Sequence, residues 1–219
     1  MRSVDQLLFG YRHGHELIAG SRELTAAALR EITPHADASL EPAEEHQLVG
    51  VWVSTIESYL LGRIWSAPEQ SRPGAVWAHM LLIGAEDLCA GRLAGLLTLL
   101  RRPDEADIDG YSERLDWPSD CEPIRVPQPL GRALVDATRP GDNRSHIVLW
   151  PGPEESQRAL VALLDAMPAA RRADLSFRTR ERVRPTTSPY RVQVAASLRG
   201  RNSGVSVPVI DARPAPPID

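Results

Sequence analysis

The segment AVWAHMLLIG, residues 75–84, decides how this chain is expected to fold. Its alternating side chains are apolar on both faces, with Trp77 and Leu81 on one face and Val76 and Leu82 on the other. A strand that is apolar on both sides is usually central in a sheet and covered by other elements on both faces. The segment therefore predicts a central strand in which Trp77, Leu81 and Leu82 are almost fully buried.

A hairpin is expected at the start of the chain. Residues 3–21 contain an apolar run, a reversal at His13-Gly14-His15 and a second apolar run, a pattern typical of two antiparallel strands joined by a tight turn. Adjacent strands lie about 4.8 Å apart, so side chains on one face of neighbouring strands come into contact range. We expect the hairpin and the 75–84 strand to be neighbours, with His15 and His79 on one side of the sheet.

The remaining periodic segments complete an α+β pattern. Helical spacing of apolar residues predicts helices at 24–33, 85–100, 130–137 and 154–167. Short apolar or β-branched runs predict strands at 48–54, 147–150, 175–180, 190–196 and 205–210, and either a strand or a short helix at 59–66. The expected fold class is α+β, with a mixed, mostly antiparallel sheet covered by helices.

The chain length of 219 residues suits one sizeable domain. Residues 1–200 are predicted to form a single α+β domain. Residues 101–128 are rich in proline and acidic side chains, which predicts a long exposed connection and a possible subdomain boundary. The tail, residues 201–219, ends in RPAPPID and is expected to be partly disordered.

Composition narrows the classes of function. The net charge is −4, so the basic excess of a typical nucleic-acid-binding protein is missing and no nucleic-acid partner is expected. The longest apolar stretches are too short for a membrane span, and the first residues lack the apolar core of a signal peptide, so the predicted location is the cytoplasm. There is no Walker A or GxGxxG motif to indicate an NTPase, and no cofactor is expected.

Three segments together resemble a known family. They are QLLFGYRHGHELIAGSREL at 6–24, GRIWSAPEQSRPGAVWAHMLL at 62–82 and MPAARRADLSFRTRERV at 167–183. In this order they are similar to the N-terminal domain, type 1, of GTPase-associated protein 1, with the middle segment the most specific. The resemblance spans about residues 4–198. Glu16 departs from the family pattern, which usually has arginine after Gly-His, and Ala78 stands where threonine is usual.

The resemblance implies a context rather than a reaction. Such domains stand at the front of larger proteins encoded beside small GTPases or other NTP-dependent components of bacterial conflict systems, where they recruit or regulate. The expected function is therefore a non-catalytic adaptor of an anti-phage type system, with a protein partner such as a GTPase, another NTPase or an effector of the same system. The alternative is a hydrolase-like enzyme that acts on a nucleotide or a peptide.

Histidines supply the candidate chemistry. His13 and His15 flank Gly14 and could present two rings to one metal ion, with Glu16 or His46 as a third ligand. No spacing supports a complete ligand set, so the expected role of His13-Gly14-His15 is the turn itself, and no metal site is predicted.

His79 has two interpretations. Within a strand apolar on both faces its ring should be buried, and buried polar groups need hydrogen-bond partners, such as a tyrosine hydroxyl or His15. The alternative is a general base at a cleft. No catalytic residue is predicted, and the alternative enzyme would use His15, His79 and Glu69.

The proline-flanked loop at 66–74 is the predicted contact surface. Proline reduces the backbone freedom of such a loop, and tryptophan and arginine are frequent at protein interfaces. The predicted partner-binding residues are Trp65, Glu69, Arg72 and Trp77. The alternative is a rigid crossover that serves only the fold.

A dense basic stretch lies near the C-terminus. Its arginines are Arg171, Arg172, Arg178, Arg180, Arg182 and Arg184. Such a run could face phosphate, but nearby acidic side chains favour a solvated, charge-balanced surface.

Overall fold

The computed structural model describes ten strands and five α-helices. It covers residues 2–37, 40, 45–70, 72–90, 93–104, 107–118, 122–142, 144–183, 189–198 and 207–214. The strands are β1 (Ser3–Tyr11), β2 (His15–Gly20), β3 (His46–Val53), β4 (Ser58–Ser66), β5 (Val76–Gly84), β6 (Leu115–Asp116), β7 (His146–Leu149), β8 (Phe177–Val183), β9 (Val192–Leu198) and β10 (Val209–Asp211). The helices are α1 (Ala26–Ala36), α2 (Ala85–Ala90), α3 (Leu96–Leu99), α4 (Gln128–Ala137) and α5 (Pro153–Ala166).

All ten strands form one mixed sheet. Its order is β10-β7-β9-β8-β3-β4-β5-β1-β2, and β6 pairs with β1 outside this path. The neighbours from β2 to β8 are antiparallel, whereas β8, β9, β7 and β10 are parallel. The predicted α+β class, with a mixed and mostly antiparallel sheet, is confirmed.

The predicted central strand is confirmed. β5 lies between β1 and β4 and pairs with both along most of its length. Its side chains are buried on both faces, with Trp77 3% exposed, Leu81 0% and Leu82 4%. Residues 59–66, for which the sequence left a choice, are the strand β4, because both neighbouring strands pair with them.

The two faces of the sheet carry different cores. On one face Phe9, Leu60 and Met80 pack against Ile32 and Ala36 of α1. The opposite face carries the larger core, where Leu61 and Leu81 pack with apolar residues of α4, α5 and segment 93–100. Leu8 and Trp77 belong to the same side as the larger core, in a smaller cluster with Tyr111.

A narrow seam joins the antiparallel and parallel parts of the sheet. β3 and β8 pair through only two residue pairs, Val49 with Arg178 and Gly50 with Phe177. Side chains extend this pairing: the Leu48 N–H donates to Thr179 Oγ1 at 2.8 Å, and Arg178 Nε donates to Gln47 Oε1 at 3.0 Å.

The helix predicted at 85–100 is broken into shorter pieces. The structure has α2, a 3₁₀ turn at Leu93–Gly95 and α3. The carboxylate of Asp165 accepts hydrogen bonds from the N–H groups of Leu93 and Ala94 at 2.8 and 3.2 Å. These N–H groups lie at the start of a new turn, so the carboxylate stabilises a helical start within the predicted helix.

The prediction that residues 101–128 are exposed is wrong for the aromatic residues of this segment. Tyr111 is 1% exposed and Trp117 is 7% exposed. Gln6 of β1 holds this segment against the sheet, because its Nε2 donates to the carbonyls of Gly110 and Glu113 at 3.0 and 2.7 Å. The predicted subdomain boundary stays a prediction.

The C-terminal strand lies at a sheet edge. The strand predicted at 205–210 corresponds to β10, which pairs in parallel with β7. Of the tail predicted to be disordered, residues 201–206 and 215–219 lie outside the described residues.

Candidate functional site

His79 is enclosed in the core. Its side chain is 0% exposed, its Nδ1 accepts a hydrogen bond from the Arg101 N–H at 3.3 Å, and its ring meets that of Tyr111 edge-on at 4.9 Å. Burial, with a further contribution from the charge of Arg101, lowers the pKa of His79 to about 3. The imidazole is therefore neutral at pH 7 and packs as a core group.

His15 lies on the other face of the sheet. Its ring stacks on Phe9 at 6.1 Å, on the side of the sheet that α1 covers. Burial lowers the pKa of His15, and the charge of Asp37 and the backbone of Ala36 act in the opposite direction. The contacts of His15 are thus with α1, whereas those of His79 are with segment 101–111.

The expectation that His15 and His79 share one side of the sheet is wrong. Leu8 pairs with His79, and the adjacent Phe9, which points to the opposite face, stacks on His15. β1 also lies between β5 and β2, so the two histidine strands are separated by about 10 Å. The structure does not bring His15, His79 and Glu69 into one cleft.

Glu69 anchors the 66–74 loop. Its Oε1 accepts a hydrogen bond from Trp77 Nε1 at 2.8 Å, and its carboxylate forms an ion pair with Arg102 at 2.6 Å. Burial opposes ionisation of Glu69, but hydrogen bonds from the backbone, Trp77 and Arg102 leave its pKa lower than usual. Glu69 therefore stays ionised and connects a buried ring to an exposed arginine.

The predicted contact residues divide into a buried and an exposed pair. Trp65 and Trp77 are 9% and 3% exposed, and they support the loop from within the core. Glu69 and Arg72 are exposed. The Arg72 guanidinium lies 5.1 Å from the centre of the Tyr11 ring, which connects the loop to the hairpin.

These contacts define one outer surface. We call it the hairpin-loop surface, and it comprises Tyr11, Glu69, Arg72 and Arg102. Tyr11 is half-buried, and the other three residues are exposed.

His13 and His15 do not form a metal centre with the proposed third ligands. His13 is exposed in the turn, and its N–H lies 3.5 Å from Glu16 Oε1, whereas His15 is stacked under α1. His46 stands in β3, four strands from β2, a separation of about 19 Å. Within the described ranges, no three histidine, cysteine or acidic side chains lie close enough to hold a metal ion.

A second site, the α5 cleft, was not predicted from the sequence. It is a cavity of about 770 Å³ between the start of α5, segment 94–98 and loop 122–125. His46 of β3, Arg63 of β4 and Gln157 of α5 line it. Pro153 with Glu154 at the start of α5, directly after strand β7, was the one local signal that could have pointed to it.

Charge in the α5 cleft is partly desolvated. Burial is the main cause that lowers the pKa of Arg63, and Glu154 acts in the opposite direction. Burial also lowers the pKa of His46, as does the charge of Arg63, while Glu45, Glu154 and Gln157 raise it. His46 is thereby kept neutral near pH 7 beside a charged arginine.

The expectation that the C-terminal arginines lie on a solvated surface is wrong for two of them, which are buried. Arg172 is 9% exposed and donates to the carbonyls of Leu88 and Asp165 at 2.6 and 2.7 Å. Arg178 is 5% exposed and lies 5.4 Å from the centre of the Tyr190 ring. Arg184 and the side chain of Arg182 lie outside the described residues.

Helix length also bears on the membrane expectation. No helix in the described part of the chain is long and apolar enough to cross a bilayer.

Comparison with known proteins bears on the first half of the chain. No curated protein and no solved structure matches this chain. A family model does match residues 3–100, the segment that carries β1 to β5 and α1 to α3. The similarity noted for residues 101–198 stays a prediction. Residues 3–100 match the family described as GTPase-associated protein 1, N-terminal domain type 1, which confirms the predicted resemblance over that segment.

Proposed function

We propose that this chain is a non-catalytic adaptor domain of a bacterial conflict system of the anti-phage type. In this role it docks onto a GTPase, another NTP-dependent protein or an effector of the same system. The observation that carries the proposal is the match of residues 3–100 to a GTPase-associated domain. The proposal places the domain in the cytoplasm and gives it a protein partner rather than a nucleic acid or a membrane.

The hairpin-loop surface is the part of the molecule that best suits docking. Glu69 is held by Trp77 and Arg102, and Arg72 lies on the Tyr11 ring, so the exposed charges are ordered before a partner arrives. Ordering side chains in advance reduces the entropy that binding costs, and arginine is frequent among residues that dominate interface energies. The surface is also formed by segments within 3–100, apart from Arg102.

The hydrolase alternative lacks the geometry that it requires. A general base must lie within hydrogen-bond reach of its substrate. His79 is fully buried and His15 lies on the opposite face of the sheet, so the two cannot act on one substrate.

Binding to a GTPase of the proposed system tests the proposal. The purified chain is titrated by calorimetry with a GTPase of the proposed system, loaded with GDP or with a non-hydrolysable GTP analogue. We expect saturable binding to one of the two forms. Arg72→Glu, which reverses an exposed charge of the hairpin-loop surface, should weaken binding at least tenfold.

The matched control is Arg132→Glu, which reverses an exposed charge on α4. Unfolding curves of both variants establish that each is folded. Equal affinities of the Arg72 and Arg132 variants would show that docking does not use the hairpin-loop surface. A chain that binds neither nucleotide form of the GTPase would contradict the adaptor function.

A further inference from the structure

The sheet has one long free edge. β2 is the last strand on its side of the sheet, and among the described strands it pairs only with β1. All six residues of β2 are partly exposed. β10, the strand at the opposite edge, has only three residues. We call the outer side of β2 the β2 edge.

The main chain of the β2 edge is available for pairing. In an antiparallel pair, alternate residues bond to the neighbouring strand and the residues between them point their N–H and C=O groups outward. Within the described part of the chain, no backbone group bonds to β2 from its outer side. Natural proteins usually protect such an edge with proline, lysine or a very short strand. β2 has none of these, and its protection consists of the bulge at Ile18 and the charge of Glu16.

Apolar contacts flank the β2 edge on both faces of the sheet. Leu17 packs on the core that α1 covers, whereas Ile18 and Ala19 pack on the cluster that contains Tyr111. α1 therefore lies beside the edge on one face, and the 3₁₀ turn at Asp109–Ser112 lies beside it on the other. Successive side chains of an added strand point to opposite faces, so its apolar side chains would extend both contacts.

Acidic side chains surround the β2 edge. Glu16 stands in β2, Asp37 caps the end of α1 beside it, and Asp109 begins the 3₁₀ turn on the other face. Asp37 and Asp109 are both exposed. Arg12 and Arg22 stand just beyond the two ends of the strand. Basic side chains on an added strand would therefore meet carboxylates along its length and arginines only past its ends.

We propose that the NTP-dependent partner adds an extended strand with basic side chains to the β2 edge. This inference rests on the proposed docking function and names the way in which the partner is held. Tyr11 of the hairpin-loop surface pairs with His15, the first residue of β2, so a partner docked on that surface is next to the β2 edge. In complexes of this kind main-chain hydrogen bonds give affinity and the flanking side chains give specificity.

Amide hydrogen exchange of the full chain, free and bound to a GTPase of the proposed system, tests the inference. The GTPase carries the nucleotide with which it binds in calorimetry. The outward amides of residues 15–20 should exchange more slowly in the complex, by about tenfold or more, because the added strand accepts their hydrogen bonds. The amides of β10, at the other edge, should not change. Binding without added protection at 15–20 would overturn the inference and leave docking on the hairpin-loop surface standing, whereas a chain that does not bind the GTPase would contradict both.

The variant Glu16→Arg tests the charge that the added strand requires. It places a cation where the partner presents basic side chains, so the affinity for the GTPase should fall about tenfold. The matched control is Glu122→Arg, which makes the same change at an exposed residue of the α5 cleft and should leave the affinity unchanged. Unfolding curves establish that both variants are folded. Equal affinities of the two variants would contradict the inference.

Sedimentation of the free chain tests the other possible occupant of the β2 edge, which is a second copy of this chain. We expect a monomer at every concentration used for hydrogen exchange. A dimer whose amides at 15–20 gain protection as the concentration rises would show that the edge pairs with itself, and this result would overturn the inference.

Discussion

Protonation of His79 should make the protein sensitive to mild acid. The pKa of His79 is about 3 in the folded chain, against a usual value of 6.5, because its ring is buried. Between pH 6.5 and pH 3, His79 therefore binds a proton in the unfolded chain but stays neutral in the folded chain. The stabilising contribution is fully present above pH 6.5 and is lost as the pH falls through this window.

The size of the effect follows from the shift. Each pH unit inside the window removes about 1.4 kcal/mol, so lowering the pH from 7 to 5 should cost about 2 kcal/mol through this one residue. The variant His79→Gln cannot take up the proton, yet its amide oxygen can still accept from the Arg101 N–H. Other histidines titrate in both proteins, so the difference in pH dependence between them isolates His79.

Urea unfolding followed by tryptophan fluorescence measures the effect. The free energy of unfolding is determined at pH 7, 6 and 5 for the wild-type chain, for His79→Gln and for the control His13→Gln, which changes an exposed residue of the turn. The wild-type chain and the control should lose about 2 kcal/mol more than His79→Gln between pH 7 and 5. The same loss in all three proteins would refute the argument that the imidazole is buried and neutral.

Three further substitutions test contacts of the fold by chemical denaturation. Glu69→Ala should cost about 1 to 3 kcal/mol because the buried Trp77 Nε1 loses its acceptor, whereas Glu69→Gln keeps an acceptor oxygen and should cost less than 1 kcal/mol. Gly50→Ala should cost about 1 to 3 kcal/mol, since an added Cβ would lie 2.5 Å from ring carbons of the facing phenylalanine. Gly84→Ala meets nothing within 4 Å, so a larger loss there than at Gly50 would contradict this packing argument. Arg172→Met should cost about 3 kcal/mol because buried carbonyls lose their donor, and the same change at an exposed arginine of α4 should be neutral.

The local pattern of apolar residues was sufficient to predict most of the strands and helices. The 75–84 segment is apolar on both faces, and this alone indicates a strand with neighbours on both sides and cover above and below. The hairpin at 3–21 is equally local, because its turn and both of its strands lie within twenty residues. Patterns of this kind depend on residues close together in sequence, which a reader of the sequence can see.

The face that His15 occupies could not be predicted in the same way. The register of β1 and β2 shifts between Leu8 and Phe9, where the pairing changes from Leu8 with Ala19 to Phe9 with Leu17. Without this bulge His15 would align with Arg12, on the face that carries Leu8 and His79. A single extra residue in one strand moves every following side chain to the other face. No residue type in the β2 sequence HELIAG indicates that this bulge occurs.

The α5 cleft was out of reach for a different reason. Its floor combines His46, Arg63 and Gln157, which come from two strands and a helix more than ninety residues further along the chain. The order of strands in the sheet, rather than any spacing in the sequence, brings them together. The burial of Arg172 was missed because a run of arginines resembles a solvated surface until the carbonyls that surround it are known.

Side-chain contacts set the alignment of β3 and β8 at the seam. Two residue pairs are too few for the backbone ladder to specify its own alignment. Side chains specify the alignment instead. The Phe177 ring leaves no room for a side chain at Gly50, Thr179 accepts a hydrogen bond from Leu48, and Arg178 donates one to Gln47. These side chains favour the observed alignment of the antiparallel and parallel halves of the sheet, so the assembly of the two halves depends on contacts at their junction.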